Sequence, residues 1–85
     1  MSVGLFHPAI VAVASERERQ EELVREGQLR WTAAHADCPD AKRLSALVEE
    51  VGEVARALHD EEGADRLREE LIQVAAVAVA WVEAL

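Results

Sequence analysis

The segment LSALVEEVGEVARAL, which spans Leu44–Leu58, carries the pattern that decides the fold. Its apolar side chains recur every three or four residues, which is the spacing of one face of an α-helix. These side chains are Leu44, Leu47, Val48, Val51, Val54, Ala55 and Leu58. The pattern predicts a helix from about residue 41 to residue 60, and Asp40 is a suitable N-cap for it.

Another helix is predicted earlier in the chain, between Pro8 and Glu26. Proline is favoured in the first turn of a helix, and Gly27 is a suitable stop. Because Ser15-x-x-Glu18 is a capping-box pattern, this helix could restart there. Residues 28–39 show no helical period and are predicted to form a loop.

A third helix is predicted after a turn at residues 61–63, from Ala64 or Asp65 to the C-terminus. From Leu71 onward it is apolar on nearly every face, with Gln73 and Glu83 as exceptions. A helix that is apolar all round is buried all round, which in a chain of 85 residues requires a second subunit. We therefore expect one all-α domain over residues 1–85. It would consist of a helical hairpin plus an N-terminal helix, assembled as a homodimer or homotetramer into an oligomeric helix bundle.

Composition narrows the classes of partner. The net charge of −8 argues against a binder of duplex nucleic acid and against an anionic membrane surface. The longest apolar run, Val74–Val82, is too short to cross a bilayer, and the N-terminus lacks the basic region of a signal peptide. The single cysteine, Cys38, cannot form an intrachain disulfide. A soluble, cytoplasmic protein is expected.

Four polar residues of the hairpin are predicted to face one another. Glu50 and Glu53 are three residues apart, as are Glu70 and Gln73 on the next helix, so each pair shares a helix face. In an antiparallel hairpin, residues at one level have numbers with a constant sum. Glu53 with Glu70 and Glu50 with Gln73 have the same sum, and half of it falls within the predicted turn.

Carboxylates this close repel one another unless a cation joins them or one of them stays protonated. Magnesium prefers hard oxygen ligands and keeps sites for water and substrate phosphates, and manganese is the alternative. A metal would also explain how so acidic a chain binds an anionic ligand. Ala46 and Ala57 flank Glu50 and Glu53 along the helix face, and their small side chains leave room for a ligand. The other interpretation is a solvated face, because 17 acidic residues in 85 produce such a triplet easily.

The stretch LVEEVGEVARA, Leu47–Ala57, resembles the first metal motif, E-E-x-x-E, of the MazG-like nucleotide pyrophosphohydrolases, which belong to the all-α NTP pyrophosphatase superfamily. Glu69–Gln73 resembles the second motif of that family, E-x-x-D, on the next helix. The resemblance covers residues 41–82, about half of the chain, and the charged run Glu16–Gln20 is compatible with it.

The resemblance implies Mg²⁺-dependent hydrolysis of (deoxy)nucleoside triphosphates to monophosphate and pyrophosphate, as part of nucleotide-pool housekeeping. It implies that Glu50, Glu53, Glu70 and Gln73 hold the metal, and that Glu49 joins the three glutamates as an accessory catalytic group. It also implies dimers or tetramers. Gln73 stands where the family has Asp, which removes a negative charge. Family members also usually continue beyond this point into a further helix and basic residues.

Weaker candidates for substrate binding are Trp31, Arg19, Gln20 and Arg66. Trp31 could stack on a base, although covering the end of the bundle is the simpler interpretation. The arginines could contact phosphates, although pairing with a glutamate one turn away is simpler for each. His35-x-x-Cys38 resembles half of a zinc site, but the sequence has no second pair at suitable spacing.

Three functions are therefore open. The first is the Mg²⁺-dependent nucleotide pyrophosphohydrolase. The second is a catalytically degenerate MazG-like helical module that binds a nucleotide or a protein partner, with Gln73 as the mark of lost catalysis. The third is a purely structural oligomerisation domain, in which the acidic residues form a solvated surface without a ligand.

Overall fold

The computed structural model describes residues 7–85 and contains three α-helices joined by a loop and a tight turn. The helices are α1 (Pro8–Arg25), α2 (Asp40–His59) and α3 (Ala64–Glu83). The described residues form no β-strand. The predicted all-α fold, a hairpin plus an N-terminal helix, is therefore confirmed at the level of one chain. Residues 1–6 of the predicted domain lie outside the described part.

The start of α1 agrees with the prediction, whereas its predicted restart does not occur. Pro8 is the first helical residue, and the ring Nδ1 of His7 accepts a hydrogen bond from the backbone N–H of Ala9 over 3.0 Å. The helix runs unbroken through Ser15. The predicted capping box at Ser15 is wrong, because residues on both sides of it continue the helix and no glycine or proline interrupts them.

Both α1 and α2 end in a Schellman motif, in which one residue adopts a positive φ and reverses the chain. In α1 this residue is Gly27, with φ 78°, and the N–H of Gln28 donates to the carbonyl of Leu23 over 2.8 Å. In α2 the residue is Glu61, with φ 53°, and the equivalent bond to Ala57 is 3.0 Å. The second motif turns α3 back along α2.

The predicted N-cap of α2 is wrong. Asp40 is the first helical residue, and Pro39 occupies the cap position without a side-chain hydrogen bond to the helix. The carboxylate of Asp40 instead accepts a hydrogen bond from Nη1 of Arg43 over 2.7 Å. The Asp40 carboxylate therefore pairs with a guanidinium and not with the backbone N–H groups of the first turn.

α3 is the central element, since α1 and α2 each pack against it rather than against each other. The buried apolar side chains on the helices are small, which allows close approach of the backbones. They are Ala57, Ala76, Val77 and Ala80. Among the described residues, no large side chain is fully buried. The core of a single chain is therefore thin.

The apolar stripe predicted on α2 divides into two parts. Leu47 and Val54 are half-buried, whereas Leu44, Val48, Val51 and Leu58 are exposed. α3 is likewise not covered all round, since Leu71 and Val82 are exposed in the single chain. The predicted oligomeric bundle stays a prediction. Within residues 7–85, no helix is long and apolar enough to cross a membrane.

Candidate functional site

An open cavity of about 360 Å³ lies where the three helices meet the loop after α1. Five of the residues proposed from sequence line it: Arg19, Gln20, Trp31, Glu50 and Gln73. The remaining lining is largely apolar. It consists of Leu23, Leu29, Thr32, Ala46 and Val77. The cavity thus combines apolar walls with a few polar groups, as small-molecule sites commonly do.

The lining of this cavity agrees with the register predicted for the hairpin. Glu50 and Gln73, placed at one level by their numbering, line it together. So do Ala46 and Val77, which lie one helical turn further along. Ala46, one helical turn from Glu50, has a small side chain and leaves room in the cavity beside Glu50.

The Glu50 carboxylate is held in an unfavourable environment for a negative charge. Partial burial raises the pKa of Glu50, and the charges of Glu70, Glu53 and Glu49 raise it further. Glu16, which reaches this region from α1, adds a smaller repulsion. Among the side chains that the structure describes, Glu50 has no cation partner to offset these effects. A bound cation would relieve them.

Glu70 is buried and forms an ion pair with Arg66. Nη2 of Arg66 lies 3.0 Å from Oε1 of Glu70, and the same guanidinium lies 3.1 Å from Glu69 and 3.6 Å from Glu62. Arg66 therefore occupies the expected position of a structural partner one turn from Glu70. It is not among the residues that line the cavity.

Glu53 and Glu49 lie at the edge of the acidic group. Glu53 is half-exposed and lies 3.9 Å from Nη1 of Arg56, which is a weak surface contact. Glu49 is exposed and does not line the cavity. Of the glutamates predicted from sequence, Glu50 is consequently the one that lines the cavity and has a negative charge destabilised by its surroundings.

Gln73 has the hydrogen-bond partner that a polar residue on a largely apolar helix requires. Its Oε1 accepts from Nε2 of Gln20 over 3.5 Å, and Nε2 of Gln20 lies 3.3 Å from Glu16. Glu16 also accepts two bonds of 2.8 Å from Arg19. These bonds from Arg19, helped by Gln73, hold the pKa of Glu16 below its ordinary value although burial opposes them.

The positions of these side chains limit how a metal ion could bind. Within residues 7–85, no group of three or more His, Cys, Asp or Glu side chains converges closely enough to hold an ion. Glu50, Glu53 and Glu70 therefore supply suitable oxygen chemistry for Mg²⁺, but they would have to reorient to share one ion. Magnesium can instead rest on one or two carboxylates and keep its waters.

The half zinc site proposed at His35 and Cys38 has a structural explanation. Nε2 of His35 lies 2.6 Å from Oε1 of Glu21, and the buried Cys38 thiol contacts the carbonyl of Pro39 at 3.8 Å. His35 is thus bonded to α1, and Cys38 is buried with its contact inside the loop.

A second polar cluster was missed by sequence reasoning. We call it the Glu21 cluster, and its members are Arg17, Glu21, Thr32, His35 and Glu83. Oε2 of Glu21 accepts from Thr32 and from Arg17, both over 2.7 Å, and Arg17 also donates to Glu83 over 2.8 Å. Burial alone would raise the pKa of Glu21, but bonds from His35, Thr32 and Arg17 outweigh it and lower the pKa to about 2.

The Glu21 cluster and Arg43 together position the loop that carries Trp31. Arg43 is buried, and it donates to the carbonyls of Ala33 and His35 over 2.8 and 2.7 Å. The loop is therefore fixed from α1 on one side and from α2 on the other. The guanidinium of Arg30 covers the Trp31 ring at 4.5 Å from its centroid, a cation–π contact.

No protein-family model matches the chain, and no curated protein or solved structure matches it significantly.

Proposed function

We propose that the chain is a MazG-like, Mg²⁺-dependent nucleoside triphosphate pyrophosphohydrolase that converts (d)NTP to (d)NMP and pyrophosphate. One observation carries the proposal: Glu50 lines a cavity, where partial burial and the charges of neighbouring carboxylates raise its pKa. The same cavity contains an aromatic ring, an arginine and two amides. This combination suits a ligand with a planar base and a metal-neutralised phosphate chain.

Glu50, Glu53 and Glu70, assisted by Gln73, are the residues that would hold Mg²⁺ or Mn²⁺. When bound, the metal would neutralise the phosphate charge and lower the pKa of a coordinated water. Glu50 is the best placed of the four residues, because its charge is already destabilised by burial, Glu70 and Glu53. Glu49 adds to the negative potential from the exposed side of α2.

The apolar half of the cavity would hold the base. Trp31 offers a planar face, and Leu23 and Val77 supply apolar contacts in the same cavity. The amides of Gln20 and Gln73 each carry a donor and an acceptor that could pair with a base edge.

Arg19 lines the cavity and could reach phosphates, at the cost of its bonds to Glu16. Arg66 is a second-choice phosphate ligand, since three carboxylates already surround it.

The test is pyrophosphate release from a panel of canonical and damaged NTPs and dNTPs, with and without Mg²⁺ or Mn²⁺. We expect metal-dependent release that falls at least about 100-fold in Glu53→Gln, because losing one charged metal contact typically costs several kcal/mol of transition-state stabilisation. Glu18→Gln, an exposed carboxylate on α1 outside the cavity, is the matched control. Release that survives in Glu53→Gln would contradict the assigned metal site.

A degenerate relative that binds without hydrolysing is the second candidate, and Gln73 favours it. The Gln73 amide is neutral and already paired with Gln20, so it contributes less to a cation than an aspartate would. In that case the wild type is inert, and Gln73→Asp raises Mg²⁺ affinity and creates activity. If the chain is instead a purely structural oligomerisation domain, Glu50→Ala leaves stability unchanged or improved, and Mg²⁺ has no effect on it.

The proposal includes self-association as a homodimer or homotetramer and a cytoplasmic location. The thin core of the single chain supports self-association, since no large side chain within residues 7–85 is fully buried. Cytoplasmic nucleotide pools would supply the substrate of the proposed reaction.

A further inference from the structure

An ion pair of α1, formed by Glu16 and Arg19, lies between the cavity and a neighbouring hollow. Glu16 accepts two bonds of 2.8 Å from Nε and Nη2 of Arg19, one turn away on the same helix. The hollow has a volume of about 330 Å³ and lies between α1 and α3, and both members of the pair line it. Arg19 and Gln73 line this hollow and also the cavity that contains Glu50. The Arg19 side chain thus lies at the boundary of two open spaces.

The two members of this pair differ in burial. The Arg19 side chain is 59% exposed, whereas the Glu16 side chain is 10% exposed. A second pair on α1, Arg25 with Glu22, has the same spacing and similar bonds of 3.0 and 2.6 Å. Both side chains of that second pair are more than half exposed. Water can therefore replace either partner of the surface pair, but it does not readily replace Arg19 at the buried carboxylate of Glu16.

Arg19 is also the cation of the cavity. Among the described residues that line the cavity, it alone carries a positive charge, and Glu50 carries the negative one. Arg17 and Arg66 pair with carboxylates elsewhere and do not line the cavity. A phosphate group in the cavity would therefore compete with Glu16 for Arg19.

Departure of Arg19 would leave Glu16 without a counter-charge among the described residues. Its remaining partners are the amides of Gln20, at 3.3 Å, and Gln73, and both are neutral. The charge of Glu16 also acts on Glu50, whose pKa it helps to raise. Because an unpaired buried carboxylate is strongly unfavourable, Glu16 would then attract a cation to the same region as Glu50.

We propose that Glu16 and Arg19 form a latch that couples the binding of a phosphate group to the binding of a divalent cation. While the latch is closed, each residue neutralises the other. When a phosphate group enters the cavity, Arg19 leaves Glu16 for the phosphate, and Glu16 joins Glu50 in attracting the cation. Each ligand therefore strengthens the binding of the other, since coupling between two sites is reciprocal. The inference rests on the phosphate and metal site of the proposed function and adds Glu16 to it as a positioning residue.

The first test opens the latch from the side of Glu16. The full chain is titrated with pyrophosphate in the absence of metal, and the indole N–H signal of Trp31, which lines the cavity, is followed by NMR. We expect Glu16→Gln to bind pyrophosphate about tenfold more tightly than the wild type, because the anion no longer has to break a charge-assisted pair. Adding Arg19→Gln should abolish this gain. Glu22→Gln removes the same charge and frees Arg25 on the surface, so it should leave the affinity unchanged.

The second test opens the latch from the side of Arg19. The full chain is titrated with Mn²⁺ alone, and free Mn²⁺ is measured by electron paramagnetic resonance. We expect Arg19→Gln to raise the Mn²⁺ affinity roughly tenfold, because it frees the Glu16 carboxylate near Glu50. Adding Glu16→Gln should remove the gain, and the matched surface variant Arg25→Gln should show none. Arg19 is exposed and glutamine is a good helix former, so this arm decides the question even if Glu16→Gln fails to fold.

Equal gains in Glu16→Gln and Glu22→Gln would reveal an effect of net charge alone and would overturn the latch. Unchanged Mn²⁺ affinity in Arg19→Gln would overturn it as well. Metal-dependent pyrophosphate release from nucleotides, with no gain in either titration, would reject the latch and leave the enzymatic proposal intact. Both gains in a chain that releases no pyrophosphate would support the latch and reject the enzyme. Failure of every variant to bind pyrophosphate or Mn²⁺ would reject both.

Discussion

Glu21 and Glu50 are both half-buried glutamates on helices, yet their electrostatic surroundings are opposite. Glu21 accepts bonds from Arg17, Thr32 and His35, and its pKa falls to about 2. Glu50 faces a cavity among other carboxylates, and its pKa rises. The first carboxylate is used to hold the fold together. The charge of the second is destabilised by burial and by neighbouring carboxylates, which makes Glu50 a candidate for a functional site.

Removal of the Glu21 charge is expected to change the free energy of unfolding more than any other test of this comparison. We expect Glu21→Gln to lower the free energy of unfolding by about 2 kcal/mol, because it weakens three bonds and leaves the buried Arg17 with less counter-charge. Thermal and urea unfolding followed by circular dichroism measure the loss. The neighbouring exposed carboxylate Glu22, which pairs with Arg25 on the surface, provides the control variant Glu22→Gln. Equal stability of the two variants would remove the structural role assigned to Glu21.

The pH dependence of the two carboxylates should have opposite signs. Since the pKa of Glu21 is lowered from 4.5 to about 2, its stabilisation is complete above pH 4.5 and is lost as the pH falls towards 2. Since the pKa of Glu50 is raised above 4.5, its contribution is favourable below that value and is lost as the pH rises through the raised pKa. Carbon-detected NMR titration of the side-chain carboxyls measures both midpoints. A titration midpoint for Glu50 at or below that of Glu21 would contradict the opposite pKa shifts of the two carboxylates.

The smallest effect is expected from neutralising Glu50. Glu50→Gln should raise the free energy of unfolding at pH 7 by about 0.5 kcal/mol, because it removes a charge repelled by Glu70 and Glu53. The gain should vanish below pH 4.5, where Glu50 is protonated in the wild type. Added Mg²⁺ should raise the melting temperature of the wild type and not that of Glu50→Gln. Destabilisation at pH 7 would mean that Glu50 has a favourable partner.

The architecture was largely predictable because it depends on local patterns. The repeat of Leu44–Leu58 predicted α2, and Gly27 marked the end of α1. The register that joined Glu50 to Gln73 followed from the position of the turn alone, and both residues line one cavity. Which side of α2 is buried could not be predicted in this way, since a helical stripe does not reveal how many neighbours cover it.

The Glu21 cluster could not be predicted, because its members come together only when α1, the loop and α3 meet. Arg17 and Glu21 have the spacing of an ordinary surface pair, and nothing in the sequence marks their partners. Glu83 lies 66 residues from Arg17, and His35 lies 14 residues from Glu21. The position of Trp31 beside the cavity depends on these distant contacts.

The central position of α3 has a consequence for the order in which the molecule forms. The α2–α3 contacts join neighbouring helices across a short turn, whereas α1 meets α3 through contacts such as Arg17 with Glu83. Local contacts close at a lower entropic cost, so the hairpin should form first and α1 should attach last. Amide hydrogens of α1 should therefore exchange with solvent ahead of those of α3. Because Arg19, Gln20 and Leu23 of α1 line the cavity, a ligand that fills it would also lock the last helix in place.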